Sequence, residues 1–152
     1  MASTDATHNT TFANQKDTFQ NALMSLFSGK ASETEADVSK LFTPTFKHYD
    51  EDENKIRDFK DWVAHIRWLR EMLTPGSVNL TIVQFLRDGN QLAERHTSTT
   101  KMPNGKLGKG HTFQFMEIAE DGRIEWIVET VKREDPVKEG GGDEKTGRGR
   151  NA

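Results

Sequence analysis

Glu129 stands among hydrocarbons in the run RIEWIVETVKR, and a carboxylate placed so can do acid–base work. With Ile127, Val131 and Met116 around it, the group is desolvated, which raises a carboxyl pKa toward the working pH. A neighbouring imidazole opposes that shift when protonated and can share the proton; His96 is the candidate. Such a pair suits abstraction of a proton next to a carbonyl, with a second donor holding the developing enolate. The alternative is structural, an ion pair of Glu129 with Arg95 or His96. Asp50 is a second candidate base, with His48 two residues before it on the same strand face, although Asp50 also opens the acidic run DEDE, which a solvated loop explains. Which of Asp50 and Glu129 is the base stays open.

Strands must bring these groups together. Two β-rich runs, HTFQFMEIAE and RIEWIVETVKR, flank Asp121-Gly122, the sequence of a type I′ hairpin turn whose central residues both need positive φ. That turn places Ile118 opposite Glu125, Met116 opposite Ile127 and Gln114 opposite Glu129. Alternation then puts Phe113, Phe115, Trp126 and Val128 on one face, and Gln114, Met116, Ile118, Ile127, Glu129 and Val131 on the other. Both faces are largely apolar, so both should be covered. The second also holds an amide and a carboxylate, which suggests a ligand pocket more than a plain core. A hairpin around Asp88-Gly89 places Phe85 opposite Leu92, Val83 opposite Glu94 and Thr81 opposite His96, bringing Glu94 and His96 to the pocket face.

Ahead of these hairpins, apolar spacing predicts helices over 11–28, 32–42 and 56–73. Gly29 stops the first, Ser32 and Glu35 form a capping box for the second, and Pro44 ends it. A strand over 45–50 turns Phe46, His48 and Asp50 to one face and Thr45, Lys47 and Tyr49 to the other; a bulge would bring Tyr49 to the pocket instead. In the third helix Phe59, Trp62, Val63, Ile66, Leu69 and Leu73 make the apolar stripe, with Trp62 either core or pocket wall. The order is helix, helix, strand, helix and four antiparallel strands, an α+β fold with one curved sheet.

The chain of 152 residues makes one domain over 11–133, with polar, disordered ends over 1–10 and 134–152. A net charge of −3 argues against a general nucleic-acid footprint. Cysteine is absent, which excludes disulfides and thiolate metal sites, and neither HxH nor HExxH occurs. There is no GxGxxG or Walker loop, and the glycines of KLGKG lie between strands, so neither metal nor cofactor is expected. Without a long apolar run or a signal-like start, the expectation is a cytoplasmic protein with no membrane contact.

That element order, with LFTPTFKHYD before the long helix and DGRIEWIVE in the last hairpin, resembles the nuclear transport factor 2-like fold over residues 11–133, and within it SnoaL-like proteins. Ketosteroid isomerases, scytalone dehydratase, limonene epoxide hydrolase and polyketide cyclases share that fold. The resemblance puts Asp50 in the place of the isomerases' catalytic aspartate, and Gln114 where they carry a protonated aspartate in the oxyanion hole. Cyclases of this fold carry a His or Trp and then an Asp on the last strand; here the run is IVETVK, without the His and with Lys132 about where the Asp would be.

The reading that follows is a cone of three helices on a curved, mostly antiparallel sheet, enclosing a pocket for a small apolar molecule with a carbonyl or hydroxyl. Catalytic candidates are Asp50, His96 and Glu129; substrate-binding candidates are His48, Tyr49, Trp62, Glu94, Gln114, Met116, Ile118, Ile127 and Val131. A cofactor-free isomerase, cyclase or dehydratase is one function; a non-catalytic ligand-binding or accessory module is the alternative, and an adaptor using the aromatic sheet face a third. The helices cover one side only, so Phe113, Phe115, Trp126 and Val128 should close a homodimer.

Overall fold

A computed structural model describes residues 8–134. Of the ends expected to be disordered, 1–10 and 134–152, residues 1–7 and 135–152 lie outside the described residues, while Thr10 donates to the Asp121 carbonyl at 2.7 Å and Glu134 ends the last strand. Helix α1 (Lys16–Ser28) follows a short 3₁₀ turn at Phe12–Asn14, and α2 (Thr34–Leu41) follows another at Ala31–Glu33. Then come β1 (Phe42–Asp50), β2 (Lys55–Asp58), α3 (Phe59–Met72), β3 (Val78–Asp88), β4 (Gln91–Lys101), β5 (Leu107–Ile118) and β6 (Ile124–Glu134). The strands form one six-stranded sheet in the order β2-β1-β6-β5-β4-β3. Only the β1–β6 pairing is parallel among the described strands. The expected α+β cone, three helices on a mostly antiparallel sheet, is borne out.

Helix α3 begins later than the apolar spacing predicts. Asp58 caps it, accepting from the Asp61 N–H at 2.9 Å while Asp61 accepts from the Asp58 N–H in a capping box. The cap frees Ile56 and Arg57 from the helix, and they form edge strand β2 against β1. Neither does α2 use the predicted cap: no side chain caps it, a 3₁₀ turn leads into it, and Pro44 sits inside β1 rather than after a helix.

Both hairpin turns differ from the expectation. Asp121 has no positive φ; Gly122 does, at 90°, and its N–H reaches the Ala119 carbonyl at 2.9 Å while the Ala119 N–H bonds Arg123 at 2.8 Å. This is a three-residue loop with glycine in the left-handed position rather than a type I′ turn. Any Cβ on Gly122 would also overlap the Thr10 carbonyl oxygen, where the amino-terminal segment crosses the turn. Glu125 is bulged out, so Ile118 faces Ile124 instead of Glu125, and beyond the bulge Met116–Ile127 and Gln114–Glu129 pair as expected. In the other hairpin Gly89, at φ 59°, and Asn90 are the central residues, so Glu94 faces Phe85 rather than Val83. A bulge at Val83 then brings His96 opposite Ile82 rather than Thr81. Glu94 and His96 still alternate onto the inward face of β4, while beyond the bulge Ile82 rather than Thr81 is the inward residue of β3.

The core lies between the concave sheet face and the helices. Phe19, Leu23 and Leu26 of α1, Val38 of α2, and Trp62, Val63 and Ile66 of α3 bury against Phe42, Phe46, Leu80, Ile82, Leu92, Met116 and Ile127. Arg70 locks the helices at one end: its Nε donates to Leu26 O at 2.7 Å, Nη1 to Lys30 O at 2.8 Å, and Nη2 pairs with Asp37 at 3.0 Å. The guanidinium lies where a Cβ on Gly29 would be, so any side chain there would have to displace it.

Candidate functional site

Register sets a polar row into this apolar face. From β3 to β1 the directly paired residues are Phe85, Glu94, Gln114, Glu129 and Asp50. One row away lie Leu92, Met116, Ile127, His48 and Arg57, and on the other side Ile82, His96, Thr112 and Val131.

Glu129 is the centre of the row. Its Oε1 receives Gln114 Nε2 at 2.8 Å and His48 Nε2 at 3.2 Å, and no hydrogen bond among the described residues engages Oε2. The guanidinium of Arg57 faces the other imidazole nitrogen, with Nη1 at 3.5 Å from His48 Nδ1. Arginine only donates, so Nδ1 is the acceptor and Nε2 carries the hydrogen that goes to Glu129. Trp62 covers the His48 ring, with centroids 4.6 Å apart and planes 24° apart. The Glu129 side chain is 19% exposed, whereas His48 is 3% exposed. Burial pushes the Glu129 carboxyl up, but the hydrogen bond and charge of His48, the Gln114 hydrogen bond and the His96 charge outweigh it and hold the group below the ordinary glutamate range. The sequence-based expectation of a raised value is thus reversed: desolvation is present, and these neighbours overcome it.

His96 does not pair with Glu129. Its Nδ1 lies 2.7 Å from Glu94 Oε2, on the same strand two residues away, and the Glu94 side chain has no exposed surface. Burial raises the Glu94 carboxyl, against the pull of the His96 hydrogen bond. Arg95, the other proposed ion-pair partner of Glu129, points to the outer face, to Gln84 at 2.7 Å and His111 at 3.1 Å.

Asp50 turns into its own loop. Its Oδ1 accepts the Asp52 and Glu53 N–H groups at 2.9 and 3.1 Å, and Oδ2 is 3.8 Å from Arg57. The acidic run is structural: Asp52 accepts the Val131 N–H at 2.7 Å and the Thr130 hydroxyl at 2.8 Å, pinning the strand beyond Glu129. Tyr49 lies on the other face of β1 and donates to Asn54 at 2.8 Å; no bulge returns it to the row. Met116, Ile118 and Ile127 are buried in the apolar floor, and Val131 is half-buried beside Thr112.

Arg57 was missed because the apolar spacing put it in a helix. Asp58-x-x-Asp61 is the signal that separates it.

A cleft of about 360 Å³, lined by Lys55, Arg57, Asp61, Ala64, His65 and Trp68, reaches the row's edge through Arg57. Within it the His65 imidazole is held down to about 4, chiefly by burial and then by the Arg57 charge. No cluster of three His, Asp or Glu able to hold a metal occurs among the described residues. None of the described helices is long and apolar enough to cross a membrane.

No protein-family model matches the chain, and no curated protein does. Solved structures do match. An uncharacterised nuclear transport factor 2-like protein from an Exiguobacterium species is 12% identical, with a TM-score of 0.58 over 74% of this chain and 96% of that one. An isomerase candidate of the SnoaL-like family from Agrobacterium tumefaciens is 14% identical, TM-score 0.57, over 78% and 98%. A ketosteroid isomerase-like fold from Catenulispora acidiphila, in complex with trimethylamine, is 12% identical, TM-score 0.56, over 72% and 81%. These likenesses establish a nuclear transport factor 2-like fold.

Proposed function

We propose that the concave face of this SnoaL-like cone takes a small, mostly apolar molecule bearing a carbonyl or hydroxyl and moves a proton on it without a cofactor. The observation that carries this reading is Glu129, whose Oε1 holds two donors while Oε2 is free. Oε2 takes a proton from the carbon next to the carbonyl, and its return at another carbon completes an isomerisation. His48 and Gln114 fix the carboxylate; His96, with Nδ1 tied to Glu94, offers Nε2 as the second proton site. A carboxylate held below its ordinary value is a weak base, so the chemistry suits an activated carbon acid, flanked by two carbonyls or by a carbonyl and an alkene. Asp50, with both oxygens turned to the loop and Arg57, supports the base less well.

The test is deuterium uptake from D₂O into a panel of cyclic 1,3-diketones and β,γ-unsaturated ketones, followed by proton NMR. Wild type should exchange at least one member about 100-fold or more faster than Glu129→Gln, the span expected for a lost general base. Equal rates would remove Glu129 from the role.

A non-catalytic binding module is the second reading, and the same fact favours it: a carboxylate kept ionised beside stacked rings is a ready counter-ion for a small amine. One fold neighbour is in complex with trimethylamine. Binding of amines that survives without any exchange would select this reading.

The partner proposal concerns the other sheet face. Phe113, Phe115 and Trp126 are 39%, 67% and 41% exposed, and Val128 is half-buried between them. A second copy of the chain, pairing this patch with itself, is the proposed cover.

A further inference from the structure

Two buried oxygens in the polar row face a problem that ionised carboxylates cannot solve. Gln114 gives its Nε2 to Glu129 of β6, and its directly paired residue on the other side, in β4, is Glu94. That amide oxygen has no hydrogen-bond partner, and neither has Glu94 Oε1; both are buried too completely for a water molecule to touch them. Turning the amide over would set its oxygen against Glu129 Oε1 and forfeit the 2.8 Å bond. With Glu94 ionised, two acceptors on directly paired residues would be buried without a donor.

We propose that Glu94 is a neutral carboxylic acid, protonated on Oε1, which donates to the Gln114 amide oxygen and so fixes the amide that holds Glu129. A single hydrogen satisfies both orphans. The row then reads continuously from His96 Nδ1–H to Glu94 Oε2, from Glu94 Oε1–H to Gln114 Oε1, and from Gln114 Nε2–H to Glu129 Oε1, where His48 Nε2–H also arrives. Both orphaned oxygens then have a partner, and of the two glutamates in the row only Glu129 carries charge. Glu94 is thus a positioning residue, acting on Glu129 through Gln114.

The surroundings agree. Phe85 is its neighbour on β3, and α1, which packs on β3, buries only Phe19, Leu23 and Leu26. The buried residues of α3 are Trp62, Val63, Ile66 and Arg70, and Arg70 is committed to Leu26, Lys30 and Asp37. The titratable groups facing Glu94 are therefore His96 on its own strand and Glu129 beyond Gln114. Burial raises its carboxyl in the same sense.

Infrared difference spectroscopy between wild type and Glu94→Gln at pH 7 tests the assignment without substrate, so an inactive protein leaves it intact. The expected result is a protonated-acid carbonyl band in wild type that shifts in D₂O and is missing from the variant. Loss of carboxylate bands alone would overturn it. If Glu94→Gln fails to fold, carbon-13 NMR of glutamate carboxyls in wild type replaces it: one resonance should keep the protonated-acid shift at pH 7, and a full set of ionised shifts would overturn the assignment. The positioning role has its own readout. Glu94→Gln, whose amide N–H can donate in the same place, should leave the Glu129 titration low, whereas Glu94→Ala should move it up; an unmoved Glu129 in Glu94→Ala would refute the positioning role.

Discussion

His48 Nε2 lies 3.2 Å from Glu129 Oε1 across the one parallel strand pair among the described strands. The tautomer is set from behind by Arg57, so the contact has a direction: imidazole donates, carboxylate accepts. Replacing His48 by Phe keeps a ring against Trp62 but removes the donor. Desolvation then acts on Glu129 with only Gln114 opposing it, and its carboxyl should titrate higher. Since a lowered folded-state value stabilises above the ordinary glutamate range and is lost as pH falls through the folded value, the variant should lose about 1–3 kcal/mol at pH 7 and less at pH 4, below the ordinary 4.5. Urea unfolding at the two pH values checks this.

His65 runs the other way. Its imidazole is held down to about 4 from an ordinary 6.5, because burial and the Arg57 charge disfavour the proton. As pH falls from 6.5 toward 4 the unfolded chain takes up a proton that the folded chain refuses, so stability falls across that window. His65→Gln should flatten the fall, by about 1 kcal/mol at pH 4 once screening at this partly exposed site is allowed for. Thermal melts of both proteins from pH 4 to 7 should converge at the neutral end; parallel curves would show that His65 does not titrate as described.

Much of this site was legible in the sequence, and its failures have one cause. Hairpin signals are local, so the Gln114–Glu129 pairing and the inward placing of Glu94 and His96 follow from two turns and alternation, even though one turn differs in type and the other in position. The parallel joining of β1 to β6 has no local signature. Residues 81 apart in sequence meet there, and for that reason the sequence offers His48 only as lining and His96 as the partner of Glu129. Capping was legible but outweighed by the apolar spacing through Ile56, which hid Arg57 in a helix.

Arg70 carries the helix packing. Its buried guanidinium closes the carbonyl end of α1 and reaches Asp37 of α2, so Arg70→Ala leaves buried carbonyls without donors beside a void. The expected cost is about 2–4 kcal/mol in denaturant unfolding. Arg70→Lys should recover only a minor part, since one ammonium cannot serve three directions.

The outer face gives an oligomer prediction. Phe115→Glu and Trp126→Glu place charge in the exposed aromatic patch without touching the polar row. Sedimentation velocity should show wild type as a dimer and the double variant as a folded monomer. A wild type that stays monomeric at high concentration would leave this patch without its proposed cover.

The most direct measurement is the carbon-13 titration of the Glu129 side-chain carboxyl in the wild-type protein, assigned by its loss in Glu129→Gln. With His48 and Gln114 both donating to Oε1, the midpoint should lie below the ordinary 4.5. A midpoint at or above 4.5 would mean that burial outweighs the two donors, and that Glu129 is not the ionised, oriented carboxylate on which the proposed chemistry rests.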